Sequence, residues 1–280
     1  MTASAPAPAL AVSAQRTSTA LLLAGAATRR GLETTVVTGP DTVRALAGRP
    51  VHWYGGPRLA DRLAGPLRLG LLEPPDDWLV RLPRHLTHRR IELTTHAELA
   101  AQRGVTRRRP FFAKPPSDKS FPPGVYADAA RLPPASPETP VLVSDVVAFR
   151  AEYRLFLLDG ALAAATRYAV HGRLDPAPLD EDPYAGAVRA FAARLTGHAP
   201  LPSASAVDVG LLDDGQWAVV EANMPWFAHS YAADPDGVLD VVLRAAGPYG
   251  RVRDDDRRYL RPAADRATGD RRTPPAARTP

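Results

Sequence analysis

Two Asp-Gly dipeptides, each set between long apolar segments, constrain the fold of this chain more than any other feature. They are Asp159-Gly160 and Asp214-Gly215. An Asp-Gly pair in this setting is the strongest short-range signal for a two-residue β-hairpin turn of type I′. Because side chains alternate between the two faces of a strand, each predicted turn also fixes which residues share a face. The sequence therefore predicts an antiparallel sheet built from long hairpins.

The hairpin around Asp214-Gly215 predicts a pair of facing carboxylates. A two-residue turn there sets Asp208 opposite Glu221, with Asn223 further along the same face. Two directly opposed carboxylates repel each other unless a cation lies between them. Carboxylate oxygens beside an amide suit Mg²⁺ or Mn²⁺. Asp208, Glu221 and Asn223 are therefore the candidate metal ligands.

The alternative is that this face is a solvated sheet edge whose charges lie in water. Regular alternation places Trp217 and Val219 on the same face as Glu221. Two apolar side chains of this size indicate that the face is not fully exposed to water. We therefore prefer the metal site.

The hairpin around Asp159-Gly160 predicts that Glu152 lies opposite Arg167 and that Arg154 lies opposite Ala165. One interpretation is a surface ion pair, which contributes roughly 0.2 to 1 kcal/mol. The other is a buried pair of arginines, held by Glu152 and aimed at an anion. The second is favoured because small residues share that face: Ala161, Ala163 and Ala165.

Lysine is almost absent, although the chain has 35 basic residues. Lys114 and Lys119 are the two lysines, and every other basic residue is arginine. Lys114 ends a short predicted strand that runs into Pro115-Pro116, which cannot continue a ladder. A compact ammonium at a strand end is suited to a phosphate where a planar guanidinium does not fit. The alternative is a pair of solvated loop lysines.

Composition excludes several classes of function. The chain has no cysteine, which excludes a thiol nucleophile, a disulfide scaffold and an iron–sulfur cluster. It has no GxGxxG, Walker or HExxH sequence and no apolar run long enough to span a membrane. The formal net charge of +5 raises nucleic-acid binding as an alternative, supported by Arg107-Arg108-Arg109 and the arginine-rich C-terminal segment. Interleaved aromatic residues are missing there, and GC-rich codon usage explains the arginines equally well.

The pattern divides the chain into four parts. Residues 1–18 are predicted to be a poorly ordered arm, and residues 19–105 alternate strands and helices as a small open α/β domain. Residues 106–260 form a domain rich in strands, and residues 261–280 are charged, rich in proline and predicted to be disordered. The apolar stretch 19–27 is predicted to be an amphipathic first helix, with a signal peptide as the alternative.

The order of these parts resembles the ATP-grasp superfamily. The matching segments, in chain order, are FAKP at Lys114, SDVV at 144–147, EYR at 152–154, VDVG at 207–210 and EAN at 221–223. The spacing KPPSDKSF, with its second lysine, is similar to the Arg-Lys-Lys clade of that superfamily. The resemblance implies an α+β fold in which two subdomains grip ATP, preceded by a reduced pre-ATP-grasp α/β domain.

The resemblance also implies roles for individual residues. Lys114 and Lys119 would contact the ATP phosphates, with Lys119 replacing a glycine-rich loop of which only Gly124 remains. Asp145 and Val147 would line the adenine, and Glu152 would belong to the same nucleotide site.

The remaining roles concern the metal and the reacting phosphate. Asp208, Glu221 and Asn223 match the Mg²⁺ (or Mn²⁺) ligands, and Arg154 matches an arginine near the γ-phosphate, so Arg154, Lys119 and Arg167 form the expected catalytic set. The arginine that names the clade is Arg89 or Arg90, and the sequence does not choose between them. His229 is either part of an acceptor pocket or a loop residue.

The implied activity is ATP-dependent ligation. A carboxylate would attack the γ-phosphate of ATP, and an amine would then displace phosphate from the acylphosphate. The clade includes bacterial proteins thought to modify peptides or proteins, so a peptide or protein substrate is one expectation. It also includes a eukaryotic assembly factor, which makes a non-ligating ATP-binding factor the alternative. The expected location is the cytoplasm.

Overall fold

The computed structural model describes residues 6–15, 17–101, 110–116, 120–198 and 200–262. In these ranges the strands are β1 (Ala9–Ser13), β2 (Glu33–Val37), β3 (Val51–Tyr54), β4 (Leu69–Leu71), β5 (Ile91–Thr95), β6 (Phe111–Lys114), β7 (Gly124–Tyr126), β8 (Pro140–Asp145), β9 (Phe149–Leu158), β10 (Ala161–Val170), β11 (Arg173–Pro178), β12 (Ala204–Leu212), β13 (Trp217–Asn223) and β14 (Ala246–Pro248). The helices are α1 (Ser18–Arg29), α2 (Pro40–Leu46), α3 (Pro57–Ala64), α4 (Trp78–Arg81), α5 (Arg84–Thr87), α6 (His96–Ala101), α7 (Ala185–Leu195) and α8 (Pro235–Ala245).

A three-stranded parallel sheet opens the chain, in the order β2-β1-β3. Its central strand β1 lies inside the segment predicted to be a poorly ordered arm, and that prediction is wrong for Ala9–Ser13. The reason is burial: Ala9, Leu10 and Ala11 are completely covered, because strands pair on both sides and α1 packs on one face. Composition alone could not show this, since a strand of five residues carries little signal.

An antiparallel sheet in the order β11-β10-β9-β12-β13 forms the centre of the molecule. One face packs against α8, which also contacts α1 and β3, so a single apolar core joins this face to the N-terminal sheet. The other face packs against α7 and α4 around the buried rings of Tyr153 and Phe191. Helix α8 begins at Pro235, where the Asp234 side chain accepts a hydrogen bond from the Gly237 amide.

A second antiparallel sheet has the order β5-β8-β6-β7. Lys114 at the end of β6 pairs with Leu142 of β8. Strand β5 precedes residue 106, the expected start of the strand-rich domain, yet it pairs with β8 along its whole length. The domain boundary therefore lies earlier than the sequence pattern indicates.

The Asp159-Gly160 turn has the predicted type I′ form, with positive φ angles of 51° and 76°. The pairing beyond it differs from the prediction, because the register shifts between Leu162 and Ala164 and again between Arg167 and Ala169. Arg154 therefore lies opposite Thr166 rather than Ala165, and Arg167 lies opposite Tyr153 rather than Glu152. The prediction that Glu152, Arg154 and Arg167 share a face is wrong.

The Asp214-Gly215 turn has three loop residues rather than two, because the Leu212 amide donates to the Gln216 carbonyl at 2.8 Å. Gly215 takes a positive φ of 86°, and the Asp214 carboxylate accepts from the Gln216 amide at 3.0 Å. This is the loop in which a left-handed glycine follows an ordinary turn. A longer loop alone would slip the register by one residue.

A β-bulge in β13 cancels that slip. Val209 pairs with Val219, but Asp208 pairs with Glu221, which leaves Val220 as the extra residue. The predicted pairing of Asp208 with Glu221 is therefore confirmed. The expectation that Trp217 and Val219 share the face of Glu221 is wrong, because both pack into the core on the opposite face.

The C-terminal end of the described chain is anchored to the first domain. The Arg261 amide donates to the Leu71 carbonyl at 2.8 Å, and its guanidinium binds Asp61 and Glu73. The prediction of a disordered tail over residues 261–280 is therefore wrong for Arg261, and residues 263–280 lie outside the described ranges. In the ranges that are described, no helix has the length and apolar character needed to cross a membrane.

Candidate active site

The centre of the site is a buried ion pair between neighbouring strands. Arg154 of β9 donates to both carboxylate oxygens of Asp208 on β12, at 2.8 and 2.7 Å. The two residues are 8% and 1% exposed, and they lie directly opposite each other in the ladder. Burial raises the pKa of Asp208, and the guanidinium opposes that rise. A two-pronged charge-assisted bond of this kind fixes both side chains.

Glu221 of β13 extends this centre toward the second sheet. Its carboxylate forms an ion pair with the ammonium of Lys114 and accepts a hydrogen bond from the Asn223 amide at 2.8 Å. Burial alone would raise the pKa of Glu221, but Lys114, Asn223 and Arg154 together hold it below its ordinary value. The contact brings Lys114 from one sheet against the metal-ligand candidates of the other.

The donor set fits a hard divalent cation. The Asn223 amide nitrogen lies between the two carboxylates, 2.8 Å from Glu221 and 3.4 Å from Asp208, where it acts as the electropositive partner. Rotating that amide by half a turn would present its oxygen instead, which completes the all-oxygen set that Mg²⁺ prefers. Within the described ranges no three His, Asp or Glu side chains form a metal cluster, so a cation would rest on two carboxylates, one amide and ligand oxygens.

Aromatic rings form a wall beside the arginine. Tyr168 and Tyr231 stack with their centroids 5.3 Å apart, and the Arg154 guanidinium lies 5.7 and 5.3 Å from their ring centres. The Tyr168 hydroxyl donates to Glu152 at 2.8 Å. Burial raises the pKa of Glu152, and the nearby carboxylates of Asp208 and Glu221 act in the same direction. Cation–π contacts and one short hydrogen bond thus hold Arg154 and Glu152 on the same face of β9.

A cleft opens beside these residues, between the two antiparallel sheets. Lys114, Glu221 and Asn223 line one end of it. Its other walls combine apolar side chains with the two carboxylates of Glu73 and Asp76; the apolar residues are Trp78, Leu79, Leu142, Pro74, Pro75, Pro116, Ala222 and Met224. The cleft therefore offers a ligand both apolar surface and charged groups.

The remaining nucleotide candidates lie at the opposite end of β8. Asp145 pairs with Phe111, three residues along β6 from Lys114, and its carboxylate accepts from the Arg90 amide at 2.9 Å. Val147 is half-buried in the segment that leads into β9. Three residues of strand span roughly 10 Å.

Several sequence candidates lie elsewhere. Arg167 is on the opposite face of the sheet, where it binds Asp182 at 2.8 Å and Asp175 at 3.1 Å. Lys119 and the Arg107-Arg108-Arg109 triplet lie outside the described residues. The His229 ring lies 5.9 Å from Tyr231, and its backbone carbonyl accepts from Arg154 at 3.2 Å, which places it at the rim of the site.

The structure distinguishes the two arginines that the sequence leaves open. Arg89 is 7% exposed, and its guanidinium donates to backbone carbonyls of β13. The Arg90 side chain is exposed. The sequence could not choose between them, because the partners of Arg89 are backbone atoms about 130 residues away. The sequence did contain a signal of the irregular strand. Regular alternation would put Trp217, Val219, Glu221 and Asn223 on one face, although the first two are apolar and the last two are polar.

Comparison with known proteins adds a family match. The model of an ATP-grasp domain family, family 2 of the clade named for one arginine and two lysines, matches residues 86–241. No curated protein sequence matches the chain.

Solved structures resemble the fold at low sequence identity. D-cycloserine synthetase DcsG is 18% identical, with a TM-score of 0.50 over 85% of this chain and 98% of that one. A RimK domain ATP-grasp protein from Sphaerobacter thermophilus is 20% identical, with a TM-score of 0.45 over 85% of this chain and all of that one. The ATP-grasp ligase PsnB, complexed with precursor peptide PsnA2 and AMPPNP, is 15% identical, with a TM-score of 0.45 over 87% of this chain and 98% of that one.

Proposed function

On the premise that this chain belongs to family 2 of the Arg-Lys-Lys clade of ATP-grasp proteins, which the match over residues 86–241 shows, we propose that it is an ATP-dependent ligase joining a carboxylate to an amine. The observation that carries the proposal is the convergence of Arg154, Asp208, Glu221 and Lys114 from two sheets, with Lys114 and Glu221 lining the cleft between them. Two cations and two carboxylates at one point suit a triphosphate and its metal ion.

The nucleotide would lie along β8. Lys114 would bind the phosphates, and the base would lie toward Asp145 and Val147, about 10 Å away along β8. That span fits the separation between the base and the outer phosphates of an extended nucleotide. Glu152 remains a candidate for the same site, because it lies on the face that presents Arg154.

Asp208, Glu221 and Asn223 would hold Mg²⁺. A bound Mg²⁺ neutralises charge on the phosphates during their transfer. Asp208 can accept the ion while keeping Arg154, because each carboxylate oxygen has two lone pairs. Lys114 would exchange its contact with Glu221 for a phosphate oxygen, so its ion pair holds the ammonium ready at the mouth of the cleft.

The proposed reaction has two steps. A carboxylate oxygen of the first substrate attacks the γ-phosphorus, the bond from that phosphorus to its bridging oxygen breaks, and ADP leaves. The amine nitrogen then attacks the acyl carbon, the bond from that carbon to the phosphate oxygen breaks, and the nitrogen loses a proton as phosphate departs. Arg154, held by Asp208 and by two ring faces, would stabilise charge on the transferred phosphoryl group.

The test combines nucleotide binding with chemical trapping. Calorimetry should show ATP binding at least ten-fold tighter with Mg²⁺ than with EDTA, because anionic phosphates and two carboxylates otherwise repel each other. Incubation with ATP, Mg²⁺, hydroxylamine and a panel of amino acids and short peptides should then release ADP and form a hydroxamate. Mg²⁺-dependent binding without hydroxamate across the panel would favour the non-ligating ATP-binding factor, and equal binding in both conditions would refute the site.

Lys114 offers a matched pair of variants. Lys114→Ala should lower ATP-dependent turnover by about 10²- to 10³-fold, as the loss of one preorganised donor does. Lys114→Arg should recover little of it, because the guanidinium is larger and planar. Full activity in Lys114→Arg would show that a compact ammonium is not needed. Lys119 remains a second candidate for the same pair of substitutions.

A further inference from the structure

Strand β13 carries two requirements that a regular strand cannot meet together. Trp217 and Val219 pack into the core between the sheet and α7, while Glu221 and Asn223 lie on the other face beside Asp208. Residues separated by two, four or six positions lie on the same face of a regular strand. One extra residue between Val219 and Glu221 is therefore needed, and Val220 is that residue.

The carbonyls at the bulge have a common partner. The Arg89 guanidinium donates to the Val219 carbonyl at 2.6 Å and to the Val220 carbonyl at 3.0 Å. Successive carbonyls in a regular strand point to opposite edges, so a single side chain can bind both only where the strand is bulged. Among the described residues β13 is the last strand of its sheet, so no neighbouring strand there holds the shape of its outer edge.

The surroundings of Arg89 fix it in that position. Helix α5 ends at Thr87, and the next residue, His88, has a left-handed φ of 50° that turns the chain before Arg89. The Arg89 guanidinium also donates to the Thr87 carbonyl at 3.2 Å. The Phe149 ring lies beneath the guanidinium at 5.9 Å and fills the space that a side chain at Gly210 would need. Burial lowers the pKa of Arg89 to about 10, so the group stays protonated at neutral pH.

We propose that Arg89 is a positioning residue that holds the bulge at Val220 and thereby sets Glu221 and Asn223 beside Asp208. The expected effect of Arg89 on Mg²⁺ and ATP binding rests on the proposed function. Its expected effect on the register of β13 does not. Without the two bonds from Arg89, the hairpin gains a regular ladder by pairing Asp208 with Val220, which turns Glu221 to the other face. Arg89 would then act without touching the nucleotide.

The register can be measured directly, because the chain has no cysteine. Val207 and Ala222 pair across the ladder, so Val207→Cys and Ala222→Cys together should form a disulfide under mild oxidation. Adding Arg89→Met should lower the disulfide yield by more than half, since a slipped register pairs position 207 with position 221. Adding Arg90→Met, at the exposed neighbour, should leave the yield unchanged. Equal yields with Arg89→Met and Arg90→Met would overturn the proposal.

The functional consequence is tested by calorimetry on chains without the added cysteines. Arg89→Met should reduce the tightening of ATP binding by Mg²⁺ at least ten-fold, while binding in EDTA changes less than three-fold. Arg89→Lys should behave like Arg89→Met, because an ammonium keeps the charge but cannot bind two carbonyls in a planar fork. Wild-type binding that ignores Mg²⁺ would refute the metal site of the proposed function and would leave the disulfide result to decide the role of Arg89.

A deletion separates positioning from general destabilisation. Removing Val220 leaves a regular strand in which Val219 still faces the core and Glu221 still faces Asp208. In that background Arg89→Met should change the Mg²⁺ effect less than three-fold. A loss as large as in the full-length chain would show that Arg89 acts by another route and would overturn the proposal. If the deleted chain does not fold, the disulfide yields of the Arg89 and Arg90 variants decide between the two outcomes.

Discussion

Asp208→Asn tests how strongly the centre of the site depends on its ion pair. The substitution keeps the size and shape of the side chain, so it opens no cavity. It removes the charge that faces Arg154 and places an amide donor against one of the guanidinium donors, which now bind at 2.8 and 2.7 Å. Arg154, 8% exposed, would keep one bond to the remaining side-chain oxygen at position 208, the His229 carbonyl at 3.2 Å and two ring faces.

Removing one partner of a buried pair costs about 3 to 5 kcal/mol, mainly because the other charge remains buried without compensation. With a urea dependence of about 3 kcal/mol per molar, the unfolding midpoint should fall by roughly 1 to 1.7 M. Circular dichroism and tryptophan fluorescence, both in EDTA without nucleotide, measure that midpoint. Any change in the midpoint then reflects the stability of the protein itself, because no metal ion or nucleotide is bound.

Arg154→Met completes a double-mutant cycle. Each single variant should lose stability, but the double variant should lose at least ~2 kcal/mol less than the sum, since no uncompensated charge remains. Effects of Asp208→Asn and Arg154→Met that add within about 0.5 kcal/mol would refute the reasoning, because additivity is the behaviour of groups that do not interact.

Packing and charge give three further predictions. Arg167→Ala should destabilise the fold by about 1 to 3 kcal/mol in urea unfolding, because it leaves buried Asp182 without its cation. It should change Mg²⁺-dependent ATP binding less than two-fold. A ten-fold loss of binding would show that Arg167 belongs to the site. Burial lowers the pKa of His52 below its ordinary value of 6.5, so the neutral ring stabilises the native state above that pH, and this contribution is lost as the pH falls. His52→Gln should therefore make the urea midpoint depend less on pH between about pH 7.5 and 5.5. An unchanged pH dependence would contradict this. Gly210→Ala should cost about 1 to 3 kcal/mol in the same assay, because its Cβ would overlap the Phe149 ring, and a neutral effect would show that the ring moves freely.

Local chemistry made part of the fold predictable from the sequence. The Asp159-Gly160 turn follows from residues that accept left-handed backbone angles, and the structure shows those angles. The pairing of Asp208 with Glu221 was also predicted correctly, although by a route that was wrong in two places. A longer turn and a bulge shift the register by one residue each, in opposite directions.

The rest depended on contacts distant in sequence. The pairing of Arg154 with Asp208 comes from β9 lying next to β12, and neither hairpin contains both strands. The register of β10 shifts at Ala163 and at Tyr168. Strand β10 packs against α8, and the Tyr168 hydroxyl donates to Glu152. The residues of the turn do not encode either contact. Strand β1 was missed because a segment of four apolar residues and one serine becomes a strand only when two neighbouring strands pair with it.

The compensated hairpin restricts how this chain can change in length over evolution. A single residue inserted or deleted within the paired strands between Asp208 and Glu221, at any position other than the bulge residue Val220, would either remove Trp217 from the core or turn Glu221 away from Asp208. Relatives that keep the core, the site and the bulge should therefore change the length of these paired strands by two residues at a time. Relatives whose strands differ in length by one residue should lack the bulge, and with it the pair of carbonyls that Arg89 binds.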